Sequence, residues 1–172
     1  MSKAKLVAQW IDVLNKRIGE NIGLILLPLM CISLMEVILR YVFNRPTIWA
    51  WDVNIQLHAV LISVAGGYVL LSGRFVVVDV FISRLSPKAR ARLDLITSVV
   101  IFFAIGILIW QGTKGAWHSW TLKECFTSNW MPVLYPLRFI VLIGFILLFL
   151  QIVSRFIRNL LVAMGREEGA GP

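Results

Sequence analysis

Hydrophobic positions in this chain gather into four long runs that polar residues separate. Each run approaches the ~20 apolar residues that an α-helix needs to cross a bilayer. In a soluble domain the apolar residues would instead be spread at helical or strand spacing through polar sequence. The pattern predicts an all-α membrane protein, whose four transmembrane helices cover about residues 21–43, 49–71, 88–117 and 133–158.

Two further segments are amphipathic or too short to span. Residues 3–18 place one apolar stripe on a helix, which is typical of a helix lying on a membrane surface. The stripe consists of Leu6, Val7, Trp10, Ile11, Leu14 and Ile18. Residues 75–85 are apolar but short, so we place them along the inner surface, before Ser86 and Pro87 begin the third helix. Pro28 should bend the first spanning helix.

Basic residues set the predicted orientation, because cytoplasmic flanks carry the excess of Lys and Arg. The connection between the second and third helices is the most basic, and its charged residues form a predicted cytoplasmic collar: Arg74, Asp79, Arg84, Lys88, Arg90 and Arg92. With both termini on the collar's side, 12 cations lie inside (Lys3, Lys5, Lys16, Arg17, the five of the collar, Arg155, Arg158 and Arg166) and 4 lie outside (Arg40, Arg45, Lys114 and Lys123). Both termini are therefore predicted to be cytoplasmic.

Composition supports a membrane protein and narrows its class. The 172 residues are 59% hydrophobic and 15% charged, with a mean hydropathy of +0.82, whereas about a quarter of a soluble domain is charged. Residues 1–165 are predicted to form a single integral-membrane domain, and residues 166–172 a disordered tail. The net charge of +8 does not indicate nucleic-acid binding, because the cations lie at the edges of apolar runs, where they meet anionic headgroups.

Several polar residues lie within the spanning segments, where ionisable groups are costly and need partners. All of them fall in the predicted outer half of the bilayer: Glu36, Arg40, Asp52, Asn54, His58, Gln111 and Arg138. Three interpretations remain open: braces within the chain, such as a Glu36–Arg40 pair at i,i+4; a docking surface for a partner; or an ion or substrate path. A path should continue into the inner half, where Gln151 and Ser154 are too isolated to extend it.

The second spanning helix has one smooth face. Ala59, Ser63 and Gly67 recur every four residues, with Gly66 beside them. In lipid such a face lets another backbone approach closely, so it predicts tight packing against a second helix. The sequence leaves open whether that helix belongs to this chain or to another protein.

The sequence contains none of the common catalytic or metal-binding motifs, so we expect neither an enzyme nor a metal site. Two other functions are alternatives. A small proton-coupled homodimeric exporter would use Glu36 as its proton-exchanging acid, although a carboxylate paired with Arg40 resists protonation. A haem-bearing respiratory membrane anchor would use His58 and His118, which lie at different predicted depths.

Motifs on both sides of the second helix resemble those of a known transporter family. Residues 40–46 (RYVFNRP), then Trp49 and Asp52, come before it. After it come Gly67, Arg74, Val78-Asp79-Val80, Leu85-Ser86-Pro87 and a basic stretch, and later residues 120–124 and Gln151. With four helices in this order, they resemble the small, Q-type membrane subunit of tripartite ATP-independent periplasmic (TRAP) transporters. Many relatives have a His-x-Arg-Val-Asp pattern where this chain has Phe75, Val77, Val78 and Asp79. Relatives also often carry two adjacent acids after the tryptophan, where this chain has only Asp52.

The resemblance implies a non-catalytic scaffold. In such systems a large membrane subunit holds the sodium and substrate sites, and a periplasmic substrate-binding protein delivers an organic anion, usually a carboxylate or sulfonate. The small subunit braces the large one and contributes to docking of the binding protein. These two proteins and membrane lipid are therefore the implied partners, in the bacterial inner membrane. No cofactor is implied, apart from room for a phospholipid at the subunit interface.

Overall fold

The computed structural model describes residues 3–73 and 87–163, with side chains for residues 6–73 and 97–160. The helices are α1 (Lys3–Ile22), α2 (Leu26–Tyr41), α3 (Ala50–Leu71), α4 (Pro87–Leu122) and α5 (Tyr135–Ala163). Within these ranges the chain has no strand, and Cys125 and Val133 form an isolated antiparallel bridge. Four segments are long and apolar enough to cross a membrane, which confirms the predicted all-α fold with four spanning helices.

The spanning segments are Leu6–Tyr41, Ala50–Leu71, Thr97–Leu122 and Tyr135–Leu160. The first of them takes up most of α1 together with α2. At 1.5 Å per residue, its 36 residues would reach about 54 Å, well beyond the ~30 Å hydrocarbon core. Part of α1 must therefore extend past the core or tilt strongly.

The chain changes helix type just before Pro28. Proline offers no N–H to the carbonyl of Leu24, four residues earlier, and its ring crowds that carbonyl. A 3₁₀ turn over Gly23–Ile25 lies at this point and separates α1 from α2. A 3₁₀ turn pairs an N–H group with the carbonyl three residues earlier, so the chain does not depend there on the four-residue bond that the proline cannot make.

The helices form an open layer rather than a closed bundle. α5 packs extensively against both α3 and α4, α2 packs on α3, and α1 lies against both α3 and α5. Because α5 is shared, 33% of its most apolar stretch is buried, against 6% in each of the other three spanning segments. Most residues of α2 and most described side chains of α4 are exposed, whereas α3 leaves only Trp51, Ile55, His58 and Ile62 exposed.

α4 contacts α5 along a single seam. Its less exposed residues recur at alternating spacings of four and three, the 3.5-residue repeat of paired helices. They are Ser98, Phe102, Ile105, Ile109, Gly112, Ala116 and Ser119. Phe102 packs edge-to-face against Phe149 and Phe156 of α5, with ring centroids 5.4 and 5.6 Å apart. Apart from Gly115, every other residue of 97–122 is exposed.

Three sequence-based predictions concern residues outside the described part. They are the surface segment 75–85, the tail 166–172 and the side chains of the cytoplasmic collar, Arg74, Asp79, Arg84, Lys88, Arg90 and Arg92. They stay predictions.

Candidate functional site: two polar ends of a helical layer

Polar contacts gather at the two ends of the helical layer. The end that carries the connections 42–49 and 123–134 is named the loop end. The opposite end, where α1 lies beside the C-terminal half of α5, is named the terminal end. Most of the polar residues that the sequence places in the outer half belong to the loop end.

Glu36 fastens the connection 42–49 to α2. Its Oε1 atom lies 2.7 Å from Nη2 of Arg40, one turn further along the helix. Its Oε2 atom accepts hydrogen bonds from the backbone N–H of Thr47 at 3.2 Å and from the Thr47 hydroxyl at 2.5 Å. Asn44, with a φ of 52°, makes the left-handed turn that Asn tolerates better than most residues. Both carboxylate oxygens have partners, so Glu36 holds the connection in place.

Asp52 joins the start of α3 to the connection 123–134. The side chain is 4% exposed, and its Oδ2 atom accepts a hydrogen bond from the Ser128 hydroxyl at 2.5 Å. A carboxylate in the first turn of a helix is also favoured by the helix dipole. Ala50 beside it is 0% exposed, so this side of the start of α3 is covered by the rest of the chain.

Arg138 ties α5 to α4 and to the connection 123–134. Its Nη1 group donates to the carbonyl of Gly115 in α4 at 3.0 Å. Its Nη2 atom lies 3.1 Å from both carboxylate oxygens of Glu124. The backbone N–H of Leu134 donates to the carbonyl of Glu124 at 2.9 Å, which closes the base of the connection. The guanidinium is therefore engaged within the chain.

Asp12 is the centre of a second group at the terminal end, named the terminal cluster: Asp12, Gln151, Ser154 and Arg158. Its Oδ1 atom accepts hydrogen bonds from Nε2 of Gln151 at 2.7 Å and from the Ser154 hydroxyl at 2.8 Å. Arg158 forms an ion pair with its Oδ2 atom. Gln151 is 3% exposed and Ser154 is completely buried. These contacts hold α1 against α5.

Asn15 extends the same contact along α1. It is 2% exposed, its Nδ2 group lies 3.5 Å from the carbonyl oxygen of Leu147, and its Oδ1 atom lies against Gly67 of α3. The contacts follow each other in opposite directions along the two helices: Ala8 with Ser154, Asp12 with Gln151, and Asn15 with Leu147. α1 therefore runs antiparallel along α5, in the groove beside α3.

The terminal cluster is not among the sites predicted from the sequence. The interpretation of Gln151 and Ser154 as isolated groups is wrong, because both donate to Asp12. A signal is present in the sequence, where the residues opposite the apolar stripe of α1 are small or polar at helical spacing: Ala8, Asp12, Asn15 and Gly19. All four are buried. How α1 sits relative to the membrane surface stays a prediction, but the face opposite its apolar stripe packs against other helices.

The small face of α3 lies against the same chain. A Cβ atom added to Gly144 of α5 would come within 2.6 Å of the Ser63 carbonyl, so the two backbones touch there. Gly67 is buried, Gly66 is half-buried, and the Ser63 hydroxyl donates to the carbonyl of Ala59 at 2.5 Å. The structure thus places α5 of this chain against the face whose partner the sequence left open.

His58 differs from Glu36, Asp52 and Arg138. Its ring is exposed, and its Nδ1 atom lies 3.3 Å from the carbonyl oxygen of Asn54 in its own helix. Among the described residues it has no polar contact with another helix or connection. Within residues 6–73 and 97–160, no group of His, Cys, Asp and Glu side chains could hold a metal ion.

The sequence of this chain matches the model of a known protein family. The model described as "Tripartite ATP-independent periplasmic transporters, DctQ component" matches residues 29–162, from the first turn of α2 to the end of α5. No curated protein and no solved structure matches the chain. The match covers most of the chain: it includes the last three apolar segments and residues 29–41 of the first, and the four segments make the chain a multi-pass membrane protein. The chain therefore belongs to the DctQ component family, the small membrane subunits of tripartite ATP-independent periplasmic transporters.

Proposed function

We propose that this chain is the small scaffold subunit of a sodium-coupled, binding-protein-dependent importer of an organic anion, a carboxylate or a sulfonate. It spans the bacterial inner membrane with both termini in the cytoplasm and its loop end in the periplasm. It braces the large transport subunit and contributes to docking of the periplasmic binding protein. The 12-to-4 distribution of cations supports this orientation.

The observation that carries the proposal is that the charged groups at membrane depth contact partners within the chain. Glu36, Asp52 and Arg138 are all engaged in contacts within the chain. Between the loop end and the terminal cluster, α3 and α5 meet at Ser63 and Gly144, where the backbones are too close for a water-filled path. A conduit needs polar groups that continue across the bilayer. The contacts therefore support a rigid brace rather than a conduit.

The loop end has the properties of a docking surface for a soluble protein. Its two connections are fastened by the contacts of Glu36 and Asp52, so binding would order little additional chain. Arg45 and Lys123 are exposed on these connections, and Trp130 is exposed on the second of them. Exposed cations and an exposed aromatic side chain at the same end favour a partner with an acidic, partly apolar surface.

The two alternative functions find less support. The carboxylate of Glu36 is shared by Arg40 and Thr47, whereas an exporter needs an acid that exchanges protons freely. His58 lies on α3 and His118 on α4, and each of these helices packs extensively on α5 rather than on the other, an arrangement that does not favour a haem shared by the two rings. A scan of the purified chain for Soret absorbance tests the haem alternative directly.

Affinity purification followed by reconstitution tests the proposed function. A tagged chain, expressed with its neighbouring open reading frames, should co-purify with a much larger polytopic protein. In proteoliposomes the complex should import an organic anion when the binding protein and an inward sodium gradient are present, and a potassium gradient serves as the control. The chain alone should move no substrate. Purification as a stable homo-oligomer that transports without partners would overturn the proposal.

A further inference from the structure

We draw no further inference here: the strongest candidate, the exposed apolar face of α1 formed by Leu6, Val7, Trp10, Val13 and Leu14, carries none, because nothing in the described part of the chain shows what covers it.

Discussion

The terminal cluster and the loop end are both built from polar side chains, yet they join different parts of the chain. In the terminal cluster Asp12 of α1 bonds Gln151 and Ser154 of α5, and all three side chains are buried. At the loop end the contacts mainly join a helix to a connection, and Arg40 and Arg138 stay 53% and 35% exposed. Hydrogen bonds at the terminal end thus fix how the helices pack, whereas those at the loop end fix the shape of a surface.

The difference in burial predicts a difference in strength. A buried carboxylate that loses its partners cannot turn to water, so breaking its contacts is costly. A half-exposed ion pair is screened by solvent and contributes little to stability. Damage to the terminal cluster should therefore loosen the packing of α1, whereas damage to the half-exposed ion pairs of Arg40 and Arg138 should mainly change docking and transport.

The largest effect is expected where α3 and α5 touch between the two ends. Gly144→Val should lower the free energy of unfolding by about 3 kcal/mol, because the added side chain would collide with the backbone of Ser63. Denaturation in mixed micelles measures this. Gly106→Val is the control, since a Cβ atom at Gly106 meets nothing within 4 Å. Equal stability of the two variants would contradict the close approach.

The next largest effect is expected in the terminal cluster. Asp12→Ala should cost about 2–3 kcal/mol, because it removes the acceptor of Gln151 and Ser154. Asp12→Asn should cost less, because its carbonyl oxygen still accepts. Thiol labelling of a cysteine at position 8, which is buried in the native chain, should speed up as α1 loosens. Glu20→Ala, at an exposed ion pair, should leave both readouts unchanged. A similar response of Asp12→Ala and Glu20→Ala would show that the cluster does not hold α1.

A smaller effect on stability is expected at the half-exposed Arg138 of the loop end, with a larger one on transport, whereas a change at Asp52, which is 4% exposed, should cost stability as well. The charge reversals Asp52→Lys and Arg138→Glu should lower uptake by the assembled complex about fivefold, equivalent to roughly 1 kcal/mol, because they break the contacts to Ser128 and Glu124. Membrane insertion should persist, as judged by fractionation. Glu20→Lys, on α1, is the charge-reversal control. Unchanged uptake in both loop-end variants would remove their roles in bracing and docking.

The smallest effect is expected from a change at Thr47, and it should stay within the connection 42–49. Thr47→Val removes the hydroxyl that donates to Glu36 but keeps the backbone N–H bond and the pair with Arg40. Hydrogen exchange should rise in residues 42–49 and stay unchanged in α1, because the loop end and the terminal cluster do not share contacts. Thr121→Val is the control, since that hydroxyl bonds only within its own helix turn. Faster exchange in α1 would show that the two ends are coupled.

The features that the sequence predicted correctly depend on short stretches of the chain. The four spanning helices follow from the lengths of the apolar runs, because the bilayer thickness sets the length of a helix whatever it packs against. The contact of Glu36 with Arg40 follows from i,i+4 spacing within one helix. The resemblance to TRAP small subunits depends on motifs along the chain and is confirmed by the family match.

The sequence by itself determined the number of spanning helices, their smooth and polar faces, and the family. The tertiary structure decided which faces meet: that α5 fills the small face of α3, and that Asp12 finds Gln151, 139 residues away. No local spacing relates such distant residues, because their contact depends on α1 running back along α5. Burial of a charge is likewise a property of all the surrounding helices, so only their packing could separate the buried Asp12 from the exposed His58.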